Sequence, residues 1–162
     1  MHLFELYRQN TKIEEVLLKV IAINSLYSTR IKNNDLIPLS LHICSIKNLD
    51  LLLDEGDINA VNLIGKTTEG INSAYVFASK YCHFHNSSSF AIFDSNSWLT
   101  LSEISNKHSF SEVLSKTSTM DFISYKRFIN CLNEFIGCFK INKSYKDVDK
   151  YLWLYGKELN DG

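Results

Sequence analysis

The sequence predicts an all-α protein, a single compact helical domain over residues 1–162 with a helix-hairpin-helix element followed by an aspartate of catalytic type. Three observations carry the helical part of that prediction. One proline and six glycines in 162 residues leave few positions that oppose a helix. Apolar residues recur mostly at three- and four-residue spacing. Cap and turn residues divide the chain at intervals that suit short helices. A chain of this length is expected to build one core.

Residues 1–9 read as a short ordered lead-in, with Leu3, Phe4, Leu6 and Tyr7 available for packing. Thr11 followed by Glu14 is a capping-box pattern, and the run from Val16 onward carries Lys19 as its only charge before Arg30. A helix apolar nearly all round is expected to be buried, and this one is expected to end near Asn33 and Asn34. Asp35, with Pro38 in the first turn, opens a second helix through Leu39, Leu41, Ile43, Cys44 and Ile46. The two are expected to pack antiparallel. A third short helix covers Asn48 to Asp54. Gly56-Asp57 then marks a turn, and Asp57 or Asn59 caps a helix that Gly65 closes.

The polar connection Gly65 to Gly70 precedes a helix starting near Asn72 or Ser73, which makes a helix-hairpin-helix candidate. Free amides at a helix entrance, together with the helix dipole, suit a phosphate oxygen. Lys66, Thr67, Gly70, Asn72 and Ser73 are the candidates for backbone contact with nucleic acid; an ordinary interhelical loop has the same composition. Asn86 to Ser89 ends the aromatic helix. The apolar run Phe90-Ala91-Ile92-Phe93 leads to Asp94, followed by Ser95-Asn96-Ser97. An acid so placed sits where a core ends, and hydrogen bonding or desolvation can tune it in either direction. The same pattern reads as a plain cap, with Ser95 to Trp98 as the first turn.

A further helix is expected from Ser97 through Leu101 and Ile104, then an exposed loop at Asn106 to Ser109. A short helix through Phe110, Val113 and Leu114 leads to a long one from Thr119, with Phe122, Ile123, Phe128, Ile129, Leu132, Phe135 and Ile136 as its apolar contacts. Ser144 with Asp147 caps a last helix that presents Tyr151, Leu152, Trp153 and Tyr155.

Hydrophobic content of 45% with 22% charge excludes wholesale disorder and a fibrous role. The start MHLFELYRQN carries charges and lacks a secretory core, and no apolar run reaches bilayer length, so a cytoplasmic protein without membrane contact is expected. Cys44, Cys82, Cys131 and Cys138 show no short paired spacing and read as reduced core thiols. A formal net charge of −1 neither advertises nor excludes a nucleic-acid partner. Lys126, Arg127, Lys140, Lys143 and Lys146 concentrate in the C-terminal third, but Glu134, Asp147 and Asp149 intersperse there. Cys82, His83 and His85 include metal-ligand types, yet neighbouring helix positions point apart, so no metal is expected. No cofactor is indicated, and no protein partner is identified.

Three stretches carry a resemblance: Tyr27-Ser28-Thr29-Arg30-Ile31; Phe77 to Asn86, reading FASKYCHFHN; and Ile92-Phe93-Asp94-Ser95. Together they resemble bacterial proteins with an 8-oxoguanine DNA glycosylase fold, which belong with the helix-hairpin-helix glycosylases. The resemblance spans roughly Tyr27 to Trp98. It implies an all-helical body, a hairpin on the DNA backbone, and an aspartate acting on a flipped nucleotide, a position that Asp94 matches. That acid would stabilise positive charge on the deoxyribose or orient the attacking water. Flipping costs a few kcal/mol, so Tyr27, Arg30, Tyr75, Lys80, Tyr81, Phe84, His85 and Trp98 are the candidates for the pocket; aromatics at helical spacing also build ordinary cores. The family's tight glycine-x-glycine turn is missing. Where bifunctional members carry a nucleophilic lysine, counting back from Asp94 lands near Tyr75, which implies a monofunctional enzyme using water. Lys80 is left with three expected roles: a salt bridge to Asp94, a phosphate contact, or a head snorkelling to solvent. Arg30 is expected in a structural ion pair or on a phosphate. DNA repair, or defence against phage with modified DNA, are the settings the resemblance implies.

Overall fold

The computed structural model describes residues 2–66, 74–111 and 125–161, all helical or irregular, with no strand among the described residues. The chain divides into two compact units, Met1–Phe90 and Ala91–Gly162. Among the described residues no single helix is long and apolar enough to cross a membrane.

The first unit comprises α1 (His2–Leu6), α2 (Ile13–Tyr27), a 3-10 turn at Asn33–Asp35, α3 (Leu36–Ser45), α4 (Leu49–Glu55), α5 (Asn59–Gly65) and α6 (Ala74–His85). Its centre is α6, which packs against α1, α2, α4 and α5. Phe77, Ala78, Tyr81 and Cys82 are all buried at this centre. Pro38 does lie in the first turn of α3, where its missing N–H leaves no bond unmade. The expected cap of Asp57 or Asn59 at α5 is corrected: the cap position is Ile58, which makes no side-chain cap bond, while Asp57 just before it turns the chain by accepting the Asn59 N–H on Oδ1 at 2.8 Å. Gly56 ends α4 with φ +73°, and a Cβ there would lie 2.4 Å from that of Ser89, so both conformation and space require glycine.

Three expectations for α2 are corrected. The helix starts at Ile13 with Lys12 as an extended cap residue that makes no side-chain cap bond, so the Thr11 and Glu14 box is not used. The reason lies at Asn10, whose backbone N–H and side chain are drawn to Asp50 instead. The helix ends at Tyr27, six residues early. There Asn24 accepts from the Thr29 hydroxyl and the Ile31 N–H and donates to the Ile31 carbonyl, folding the chain back. These bonds offset the left-handed backbone at Ser28 and Arg30. Burial is also one-sided: Val16, Lys19, Val20 and Ile23 face α3 and α6, whereas Leu18 and Leu26 are 49% and 66% exposed.

The second unit comprises α7 (Ser95–His108), α8 (Tyr125–Cys138) and α9 (Tyr145–Asp161). The buried approach Ala91-Ile92-Phe93 is held by α8, with the Phe93 ring 5.0 Å from Phe128 and the Tyr125 hydroxyl donating to Ala91 O at 2.8 Å. α9 packs on α7 closely enough that a Cβ on Gly156 would lie 2.3 Å from Asn96 O. Ser144 and Asp147 form the expected cap: the Ser144 hydroxyl donates to Asp147 Oδ2 at 2.7 Å and receives the Asp147 N–H. The expected loop at Asn106 to Ser109 is instead the last turn of α7, ended by Ser109 at φ +51°, with Lys107 paired to Glu103 one turn back. Cys138 is exposed rather than a core thiol; Cys82 and Cys131 are buried, and all four cysteines are free. Val113, Leu114, Thr119, Phe122 and Ile123 lie outside the described residues.

Candidate functional site

Asp94 stands at the head of α7 in extended conformation, and its Oδ1 accepts the Ser97 N–H at 2.9 Å. The carboxylate satisfies one of the orphan donors of the first turn. Among the described residues its Oδ2 accepts no hydrogen bond, and the residue is half-buried. The turn carrying it is clamped by α9: the Ser97 hydroxyl donates to Asp149 at 3.3 Å, and Asn160 donates to the Asn96 side chain at 3.0 Å. Trp98 belongs to the same turn and is 6% exposed. The arrangement fixes one carboxylate edge and leaves the other available to a proton or a developing cation.

The first unit brings several other predicted residues together. The Tyr27 ring lies 5.1 Å from Phe84, with the Lys80 ammonium 5.9 Å from the Tyr27 ring centroid. Phe84 continues to Phe4 at 5.6 Å, and Phe4 meets Tyr81 at 5.4 Å and His85 at 4.8 Å. Lys80 is 8% exposed. Arg30 stands apart, exposed at φ +61° on the loop after α2, and makes no ion pair among the described residues. Tyr75 covers Gly65, where a Cβ would lie 3.1 Å from its ring. α5 and α6 pack on each other. Lys66 is exposed just past α5, whereas Thr67, Gly70, Asn72 and Ser73 lie outside the described residues.

The most developed polar arrangement involves a residue that the sequence reading left without a role. Lys19 is fully buried, and its ammonium donates to Tyr7 O at 3.0 Å, Gln9 O at 3.1 Å and Asn10 Oδ1 at 2.6 Å. Three donors thus meet three acceptors, and the rings of Phe4 and Tyr81 lie 5.5 and 5.4 Å away. The Tyr81 hydroxyl also donates to Asn10 Oδ1, while Asn10 donates from its side chain to Asp50 at 2.6 Å. Burial pushes the Lys19 ammonium down to about 8, opposed by the charge of Asp50. His85 Nε2 lies 3.4 Å from the same ammonium. Burial and the neighbouring positive charges of Lys19 and Arg8 push His85 down to about 3, so its imidazole is neutral at physiological pH.

His85 forms part of the wall of a cavity of about 280 Å³, with Arg8, Gln9, Asp50, Leu53 and Asp54. Arg8 and Asp54 pair across it at 3.0 Å, both well exposed. With every ammonium proton engaged and no exposed surface, Lys19 is a structural cation that ties the segment between α1 and α2 to the core. The legible signal for it was position: Val16, Lys19, Val20 and Ile23 form one helical stripe, so a lone lysine falls on the inward face.

Residues 1–89 match the family model HI_0787_N, described as an N-terminal domain; the match ends within one residue of the boundary of the first compact unit. An uncharacterized protein of Haemophilus influenzae is 36% identical over 152 residues, covering 93% of this chain and 70% of that protein. No solved structure matches the chain. With more than half of its residues matched by that model and a relative aligned through both units, the chain belongs to the HI_0787_N family.

Proposed function

We infer that the protein is a monofunctional DNA glycosylase that removes a damaged or modified base by hydrolysing the N-glycosidic bond. The observation that supports this best is the Asp94 carboxylate, held by one oxygen on a clamped helix head with the other oxygen unengaged. In this reading Asp94 stabilises the positive charge that develops on the deoxyribose as the base leaves, or takes a proton from the attacking water. Tyr27 and Phe84, whose rings lie 5.1 Å apart in the first unit, are the candidates for stacking with a base, and the connection from α5 to α6 is the candidate for the DNA backbone. Water is the nucleophile in this reading, since Tyr75 stands near the position where bifunctional members carry a nucleophilic lysine, and Lys19 is fully buried, out of reach of a substrate. Substrates include oxidised bases and the modified bases that mark phage DNA, which gives the activity a place in repair or antiviral defence.

The second reading is a catalytically inactive helical module of the same fold that binds DNA or protein, and the cap bond at Asp94 favours it, because a capping role alone accounts for an aspartate there. One variant separates the two. Asn caps a helix about as well as Asp, so Asp94→Asn keeps the fold while removing the charge. A panel of damaged and phage-type modified DNAs is incubated with each protein, and the freed base is identified by mass spectrometry. The glycosylase reading expects release by the wild type and a loss of at least about 100-fold in Asp94→Asn. Equal release by both would remove Asp94 from the chemistry; DNA binding without release establishes the module.

A further inference from the structure

A second site lies wholly within the second unit. The C-terminal half of α7, together with α8, α9 and the loop between them, encloses a cleft of about 510 Å³. It opens beside Ile104, at the end of α7 opposite to Asp94, and so is separate from the proposed reaction centre. Its volume falls within the range of small-molecule sites, roughly 300–1,000 Å³.

The walls are aromatic. Tyr151 and Tyr155 stack with rings 22° apart at 6.1 Å, and Phe135 on α8 lies 5.1 Å from Phe139 just past its end, the two rings tilted by 50°. Tyr151 is 51% exposed and Phe139 39%, so these rings present area to the cleft and solvent that the helices themselves do not cover. The charges at the mouth are unequal in their commitments. Glu103 is paired with Lys107 at 2.9 Å, and Asp147 Oδ2 accepts from the Ser144 hydroxyl, which in turn accepts the Asp147 N–H. That capping bond, aided by Lys143 and Lys146, holds the Asp147 carboxyl below its usual range. Lys143 lines the mouth and makes no ion pair among the described residues; Lys140 stands on the same short loop and Lys146 in the first turn of α9. Lys140, Lys143 and Lys146 outnumber Asp147 here, so the net charge at the mouth is positive.

We propose that the cleft binds a small planar aromatic anion, its ring system against the Tyr151 and Phe139 walls and its acidic group at Lys143. A planar body gains offset stacking that an aliphatic chain does not, and a carboxylate, sulfonate or phosphate gains the ammonium that a neutral or cationic ligand would leave unused.

The test uses the full chain and two fluorescent probes of one shape: 8-anilinonaphthalene-1-sulfonate, and N-phenyl-1-naphthylamine, which lacks the sulfonate. The expected result is saturable binding of one sulfonate per chain, roughly fivefold tighter than the neutral probe. Lys143→Glu removes that preference while leaving the neutral probe unaffected. Tyr151→Ala, at a largely exposed position that leaves the fold intact, weakens both probes by roughly tenfold. Absence of saturable binding, or equal binding of the two probes, overturns the proposal. So does binding that neither substitution changes, which would place the probe elsewhere, and so does a dimer in sedimentation that Tyr151→Ala dissolves, which would make the occupant a second copy of the chain.

Discussion

In the first unit a full positive charge lies at zero exposure, its three protons shared among Tyr7, Gln9 and Asn10. In the second the fully buried polar side chains between α7 and α9 are the neutral hydroxyls of Ser97 and Thr100. The first arrangement depends on satisfaction, because a buried ammonium that loses an acceptor keeps its desolvation penalty. The second depends on distance, because Thr100 and Gly156 sit where two helix backbones approach closely. Polar interiors of similar size thus have different points of failure, one electrostatic and one steric.

The sharpest break in that contrast is at Asn10. Asn10→Leu removes the acceptor shared by Lys19 and Tyr81 and leaves the ammonium short of a partner, an expected loss of about 3 kcal/mol. Lys19→Met removes the charge itself and should cost less, since only neutral acceptors are left behind. Urea unfolding of the two variants checks this, and equal losses would mean that the charge is not what makes the site fragile.

Next in size is the steric seam. Gly156→Ala places a Cβ against Asn96 O and 2.8 Å from Thr100 Oγ1, and should cost about 2 kcal/mol by forcing α7 and α9 apart. Thr100→Val, which keeps the shape but loses the 2.7 Å bond to Leu152 O, should cost about 1 kcal/mol. A larger loss for Thr100→Val than for Gly156→Ala would reverse the assignment of the seam to sterics.

Smallest at neutral pH, yet specific to the first unit, is the dependence on protons. His85 titrates near 3 when folded and near 6.5 when unfolded, so between those values the unfolded chain holds the extra proton. Stability from this group is full above about 6.5 and is lost as pH falls toward 3. Lys19 follows the same sign at higher pH: its folded value of about 8 lies below the unfolded 10.5, so stability rises as pH increases through that window. Unfolding titrations should show a shallower acid slope in His85→Gln and a missing alkaline rise in Lys19→Met. An unchanged slope in either variant would remove that group from the account.

Local features were legible in the chain. Asp94 and the Ser144 and Asp147 pair each act within three residues, and a cap of that range is written in adjacent letters. Helical class followed from apolar spacing for the same reason. The Thr11 box misled because Asn10, its neighbour, answers to Asp50, 40 residues away. The pocket residues were legible only in part: α6 spacing puts Tyr81, Phe84 and His85 on one helix, while their meeting with Phe4 and Tyr27 required the packing of α1 and α2.

By itself, then, the sequence determined where helices begin and turn, through capping bonds and apolar period that need no distant partner. Only tertiary structure decided that Lys19 becomes a buried cation, that Asn10 links it to Asp50 and Tyr81, and that three helices leave an aromatic cleft beneath Lys143. The physical reason is separation along the chain. A bond spanning 71 residues, such as that from Tyr81 to Asn10, exists only once the intervening helices have packed, and no local preference encodes it.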